Sequence, residues 1–327
     1  MPPSNASSSH APFGRFTSSN ASRKWTVNGS IGWLVMEIVS PLAFVSALVS
    51  HRAGLAVPFP LSVSSIAVLS TAHASLVSLP LARKVLAALF VLHYVNRSIV
   101  STLENPSRAP MHVAVPLSAV VFNLLNGTLM GLAIAGGRSL RTRGDSDRVT
   151  ALGLRDGSTT YAILFVVGLA MWTVGFVSNI YHDRILYRLK SSKLDSDANR
   201  PKAASASTST RDPRERYSIP RGGLYAYVSH PAYSSEWFEW LGYLVCFLAL
   251  APDPFSSSSS SPARASAFVA VVEPLTEWYL APPALFLWQE IALMLPRARS
   301  GHRWYKRVFG KEWDDEGPRW VVVPGLY

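Results

Sequence analysis

Glu37 stands alone in the apolar run IGWLVMEIVSPLAFVSALVS at 31–50. An ionisable side chain in such a run is costly to bury and by default marks a functional site. Burial favours the uncharged acid, which can donate a proton or a hydrogen bond. A glutamate near a helix end, solvated or paired with an arginine, fits the same position. Position alone does not separate the two readings.

His93, Tyr94 and Arg97 form part of LHYVNR at 92–97. Tyr94 and Arg97 are three apart and share a face of a helix. A phenol, with an ordinary pKa of about 10, donates a hydrogen bond to a carbonyl and is polarised by a nearby carboxyl. The planar fork of a guanidinium suits phosphate. Tyr and Arg also populate membrane-interface belts, so this run is a weak signal on its own. Asn179 and Asp183, four apart in SNIYHDRILYRLK at 178–190, face one way, and Lys190 ends the segment. An amide and a carboxylate so placed could hold a polar cofactor. The plainer reading is a frayed helix end with Asp183 paired to a neighbouring arginine, a pair worth little.

The densest polar and aromatic stretch is 217–243, YSIPRGGLYAYVSHPAYSSEWFEWLGY. Gly222 and Gly223, shortly after Pro220, make a turn that lets backbone approach a ligand. Glu236 and Glu239 are three apart on a helix that also carries Trp237 and Trp240. Two carboxylates entering an apolar span need partners, either arginines or a bound ligand. The alternative is an aromatic interface belt in which Glu239 is structural.

These side chains need rigid elements to hold them, and composition says which kind. The chain has 327 residues, with 31 Lys+Arg against 20 Asp+Glu and a net charge of +11. Hydrophobic residues make up 49% and charged residues 16%, against about 25% charged in a typical soluble domain. The few charges cluster between apolar spans. That excludes a single soluble globule and a disordered chain, and predicts an all-α polytopic transmembrane helical bundle of six to seven membrane helices. The spans are 31–50, 84–103, 111–136, 160–187, 233–251 and 268–296, the last kinked or delayed by Pro274, Pro282 and Pro283. Segment 55–80, broken by Pro58 and Pro60, reads as interfacial or re-entrant.

Residues 1–30 form a polar N-terminal segment without the apolar core of a signal peptide. Residues 31–327 form one membrane-embedded domain, with low-complexity inserts at 191–216 and 253–265 that read as flexible loops. The only cysteine, Cys246, excludes a disulfide within the chain and a cysteine-based zinc site, and no metal is expected. A pI near 9.9 comes without a basic helix or an aromatic reading motif, so nucleic-acid binding is not expected. Most Lys and Arg lie in 188–221 and after 296. Two spans separate these regions, so they share a side, and the positive-inside bias makes that side cytosolic, with residues 1–30 there too. Arg83, Lys84 and the arginines of 137–159 then fall on the opposite side, partly offset by Asp145, Asp147 and Asp156.

Taken in order, the motifs resemble the steroid 5-alpha-reductase family of membrane enzymes (3-oxo-5-alpha-steroid 4-dehydrogenases). They are the Glu37 span, HYVNR at 93–97, NG at 126–127, NIYHD at 179–183, IPRGGLYAYVS at 219–229, EWFEW at 236–240, HRWYKRVFG at 302–310 and the closing VVVPGLY. The resemblance covers about 13–327, less the serine-rich inserts. It implies an endoplasmic-reticulum membrane oxidoreductase that reduces the conjugated carbon–carbon double bond of a 3-oxo-delta4-steroid or similar lipid enone with NADPH. Hydride adds to the beta carbon while Glu37 and Tyr94, the catalytic pair, polarise the carbonyl. Arg97, Asn126, Asn179, Asp183, Lys190, Glu236, Arg297, His302 and Tyr305 match the family's NADPH-binding positions. The substrate would arrive from the membrane lipid. No Gly-x-Gly-x-x-Gly fingerprint is present, and the resemblance requires none. The chain departs from the family pattern at Met36, Ser218, Ala232 and Ser235, and has no counterpart of the helix that usually precedes Phe13-Gly14-Arg15.

Three other readings fit parts of the chain. Ser229-His230-Pro231-Ala232-Tyr233 approximates the Arg-His-Pro-x-Tyr motif of membrane isoprenylcysteine and phospholipid methyltransferases, but lacks its Arg. S-adenosylmethionine binding in place of NADPH oxidation would mark that class. A trans-2-enoyl-CoA or polyprenol reductase would share the superfamily, and substrate use would mark it. A non-enzymatic membrane scaffold leaves the cost of burying Glu37 without a ligand role. Oligomeric state is not set by the sequence.

Overall fold

The computed structural model describes residues 25–52, 76–136, 152–155, 159–198, 214, 217–250 and 281–326. The expectations for 1–24, for most of 55–80 and for the insert 253–265 lie outside the described residues. A short strand β1 (Thr26–Val27) leads into helix α1 (Gly29–Arg52). Asn28 starts that helix: its Oδ1 accepts from the amides of Ser30 (2.9 Å) and Ile31 (3.1 Å), satisfying donors that a first helical turn leaves unpaired. Helix α2 (Leu81–Val95) runs on through a π-helical turn (Asn96–Val100) into α3 (Ser101–Glu104). Strand β2 (Met111–His112) pairs antiparallel with β1. Then come α4 (Ala114–Ala135), α5 (Thr159–Ala198), α6 (Pro231–Leu248), α7 (Pro282–Phe309) and α8 (Lys311–Glu316).

The architecture is an all-α transmembrane bundle. Among the described residues four helical stretches are long and apolar enough to cross a membrane: Gly29–Arg52, Leu81–Glu104, Ala114–Ala135 and Thr159–Ser196. Helices α6 and α7 pack with them. The 40 residues of α5 span about 60 Å, twice a hydrocarbon core of about 30 Å, so its polar C-terminal half extends past the membrane. The helix also continues to Ala198, so the first eight residues of the insert expected as a loop at 191–216 are helical. Pro282 and Pro283 occupy the first turn of α7 and start it, because a proline there gives up an amide that had no helical partner. Helix α7 then runs through Pro296 to Phe309, carrying the HRWYKRVFG motif out of the apolar span.

Two helix pairs form the frame. Gly127 and Gly131 of α4, one turn apart, lie against the backbone of α1. A Cβ on them would stand 2.2 Å from the Ser40 carbonyl and 2.4 Å from the Phe44 carbonyl. Small residues so spaced allow the close approach that drives helix association in lipid. Gly175 of α5 meets the backbone of α6 at Glu239 in the same way, with a Cβ 2.5 Å from its nitrogen. Helix α2 bridges the pairs through aromatic rings: Phe90 stacks on Phe44 of α1 at 4.3 Å and meets Trp240 of α6 edge-on at 5.9 Å. The first pair brings Glu37 and Asn126 to the bundle interior, and the second brings Asn179, Glu236 and Glu239. Helix α2 places His93, Tyr94 and Arg97 between them.

Arg83 is buried, and its guanidinium donates to the carbonyls of Ala133 (3.2 Å) and Ile134 (3.0 Å) at the end of α4. It caps a helix C-terminus, where a cation complements the dipole. Its charge is therefore bound inside the bundle and is not that of an open loop.

Candidate active site

The inner part of the site is a buried polar cluster. Arg97 lies on the π-helical turn, a feature frequent at functional sites. Its backbone carbonyl, drawn out of the regular ladder, accepts from Trp33 Nε1 at 3.0 Å and from the Ser101 hydroxyl. The Trp33 ring lies under two guanidiniums, 5.2 Å from Arg97 and 4.2 Å from Arg108. So held, Arg97 joins two carboxylates from different helices: Nε is 3.4 Å from Glu37 Oε1 and Nη1 is 3.2 Å from Glu236 Oε2. Glu37 and Glu236 are buried, and a buried carboxyl group can carry charge only with such a partner.

Asn179 adds to the pair. Its Nδ2 donates to Glu236 Oε2 (3.3 Å) and to the Ala232 carbonyl (3.0 Å). His93 lies on the other side, with Nδ1 2.7 Å from Glu239 Oε1 and Nε2 3.8 Å from Glu236 Oε1. Tyr94 is buried, and its hydroxyl accepts from Asn126 Nδ2 at 3.1 Å. Asn126, expected among the cofactor ligands, is thus placed on the phenol of Tyr94.

An outer cleft of about 150 Å³ opens beside the cluster. Asp183, Arg297 and Tyr305 line it, together with Ser229, His230 and Ala232 at the start of α6. That helix begins with Pro231 and has no side-chain cap, so its N-terminal partial positive charge faces the cleft. Asn179 connects cleft and cluster through the Ala232 carbonyl. The C-terminal segment pairs with the cleft residues Ser229 and His230, whose amides donate to the carbonyls of Trp320 and Val321, each at 3.0 Å.

Two expected site residues lie in neither the inner cluster nor the cleft lining. His302 binds the Ser229 hydroxyl through Nδ1 (3.0 Å) and packs edge-on against Trp313. Burial, and next the Lys306 charge, hold its pKa below the usual imidazole value. The Lys190 ammonium donates to Asn105 Oδ1 (3.2 Å) and to the Ser107 carbonyl, fixing the loop that carries Arg108. Two residues beyond the sequence expectation belong near the site. Arg108 comes from a loop without periodicity and had no sequence signal. Glu290 of α7 lies within electrostatic reach of Glu236, Arg97 and Glu37. It interrupts the apolar stretch LFLWQEIALML just as Glu37 interrupts its own, so the same signal could have found it.

Chemically, the inner cluster offers hydrogen-bond donors held in a dry space, suited to charge developing on one oxygen. The outer cleft offers a guanidinium, a helix N-terminus and a phenol, suited to an anionic polar ligand.

The family profile described as 3-oxo-5-alpha-steroid 4-dehydrogenase matches residues 202–260. A protein of Schizosaccharomyces pombe named only as uncharacterized is 34% identical over 304 residues, 92% of this chain and 87% of its own length. The steroid 5-alpha-reductase DET2 of Solanum lycopersicum is 28% identical over 243 residues, 73% of this chain and 67% of its own. The 3-oxo-5-alpha-steroid 4-dehydrogenase 1 of Mus musculus is 28% identical over 256 residues, 78% of this chain and 72% of its own. With an ordered set of motifs on a transmembrane helical frame, this chain belongs to the steroid 5-alpha-reductase family of oxidoreductases.

Proposed function

We propose that this protein reduces the conjugated carbon–carbon double bond of a 3-oxo-delta4-steroid or similar lipid enone, using NADPH. The observation that carries the reading is the Tyr94 hydroxyl, buried and accepting from Asn126, in one cluster with the Arg97-bound Glu37. Because Asn126 occupies an acceptor site on the phenol oxygen, the phenolic proton stays available for the substrate carbonyl. Glu37 in its acid form accepts from Arg97 on one oxygen and donates from the other. Both donors strengthen as negative charge gathers on the carbonyl oxygen, and a proton taken from water at the alpha carbon converts the enolate to the saturated ketone and completes the reduction.

The cleft residues fit a dinucleotide phosphate. Arg297 and the uncapped start of α6 offer positive charge to phosphate oxygens, while Asn179, Asp183 and Tyr305 offer polar groups to ribose or base. Arg97 and Glu236 lie beside the same region, while Lys190 would act through the Asn105–Ser107 loop, His302 through Ser229 and Asn126 through Tyr94. The cofactor, when bound, supplies the hydride to the beta carbon. The exposed apolar faces of α4 and α5, such as Leu117, Val121, Val166 and Val174, suit lipid, and a lipid-soluble substrate would enter from there. The basic residues of 188–221 and of the tail support a cytosolic orientation of that end, the side where NADPH is found, and the family likeness supports an endoplasmic-reticulum membrane.

The test is a substrate panel on the purified protein. NADPH with progesterone or testosterone should give the 5-alpha-reduced product, identified by mass. Absence of NADPH consumption with steroids, enoyl-CoA and polyprenol alike would overturn the proposal.

A further inference from the structure

We propose that His230 is a cofactor-binding residue of this chain, supplying from α6 the side chain that α7 lacks at Gly301. The inference rests on the dinucleotide reading of the cleft. Arg297, Gly301 and Tyr305 are spaced four apart on α7, and all three line the cleft. Residues so spaced lie one above another on a helix face. The middle position of that row carries no side chain, and an imidazole fills its place. A Cβ on Gly301 would stand 2.5 Å from His230 Nε2 and 2.8 Å from its Cε1. The cleft wall therefore reads guanidinium, imidazole, phenol, with the imidazole contributed by another helix.

The ring is fixed in place. The His230 amide donates to the Val321 carbonyl at 3.0 Å, Nδ1 lies 2.8 Å from the Ser229 hydroxyl, and the ring packs beside Tyr233 at 5.6 Å. With Nδ1 accepting from the Ser229 hydroxyl, the ring is the Nε2–H tautomer, and Nε2, which faces the α7 side, is the donor to a phosphate oxygen. His230 also flanks the N-terminus of α6, so imidazole, guanidinium and helix dipole converge on one space. Their shared chemistry is recognition of phosphate oxygens. The Ser-His-Pro-Ala-Tyr stretch, which by sequence suggested a methyltransferase, thus takes a part in holding a dinucleotide.

The test is NADPH affinity, measured by calorimetric titration of the full chain in detergent, with melting temperature as a check on folding. Loss of one hydrogen bond to phosphate predicts about five- to tenfold weaker binding for His230→Ala. Gly301→Ala should weaken binding similarly by displacing the ring. His230→Ala combined with Gly301→His returns an imidazole to the same space and should recover most of the loss. His230→Phe keeps the ring volume but removes its nitrogens. Weakened binding in that variant at an unchanged melting temperature supports a binding role over a structural one. Wild-type affinity in both His230→Ala and His230→Phe, with Arg297→Gln weakened, would overturn the role of His230 and leave the dinucleotide reading standing. Failure of the unmodified protein to bind NADPH would overturn both.

Discussion

The Tyr94 hydroxyl accepts a hydrogen bond from the Asn126 amide across 3.1 Å, between helices α2 and α4. This contact orients the phenol, because an oxygen that accepts from one side presents its own proton to the other. In the proposed reaction it makes the buried tyrosine a directed donor.

Tyr94→Phe should therefore lower turnover by about 10²–10³-fold, the usual cost of removing one donor to a developing oxyanion. Asn126→Ala should lower it less, since the phenol remains but loses its orientation. Initial rates with a steroid enone, alongside NADPH titrations, check this. Unchanged NADPH affinity in Tyr94→Phe separates a chemical role from a binding one.

Arg97 joins Glu37 and Glu236, so its removal leaves two buried carboxyl groups without their shared partner. Arg97→Met should cost about 3–5 kcal/mol of stability. Lysine offers a point charge in place of a planar fork, so Arg97→Lys should restore only part. Thermal unfolding in detergent gives the comparison. A melting temperature unchanged in Arg97→Met would show that the bridge is not structural.

Arg83 caps the carbonyls of Ala133 and Ile134. Arg83→Met should destabilise the bundle by about 1–3 kcal/mol through unsatisfied buried carbonyls, yet leave the membrane orientation unchanged. Glycosylation-site mapping of the loops would reveal an inversion if Arg83 acted as a topology charge.

His302 is held neutral by burial, with Lys306 adding to the effect. Its folded pKa lies below its unfolded value, so the unfolded chain binds the proton more readily. Stability is complete above the unfolded pKa of about 6.5 and falls as pH drops through it. His302→Gln should flatten the loss of melting temperature between about pH 7 and pH 5. An identical pH profile in the variant would remove His302 as its source.

The sequence by itself determined the solvent class and the chemistry available. Continuous apolar spans over 31–50 and 160–187 admit only a helix in lipid, because no water is there to satisfy the backbone. A lone Glu37 in such a span, and the order of the motifs, were equally plain. These are local properties, carried by runs of a few residues.

The tertiary structure alone decided which side chains meet. Arg97 reaches Glu236 across a separation of 139 positions, and Asn126 reaches Tyr94 across 32. Helix rotation, the π-helical turn at Asn96–Val100 and the glycine contacts of α4 and α5 set those pairings, and none of these shows in local periodicity. The same reason hid the contacts of Arg83 and His230. One reads in sequence as a loop charge and the other as part of a motif. Only the packing of α2 against the end of α4, and of α6 against Gly301, gives each its partner.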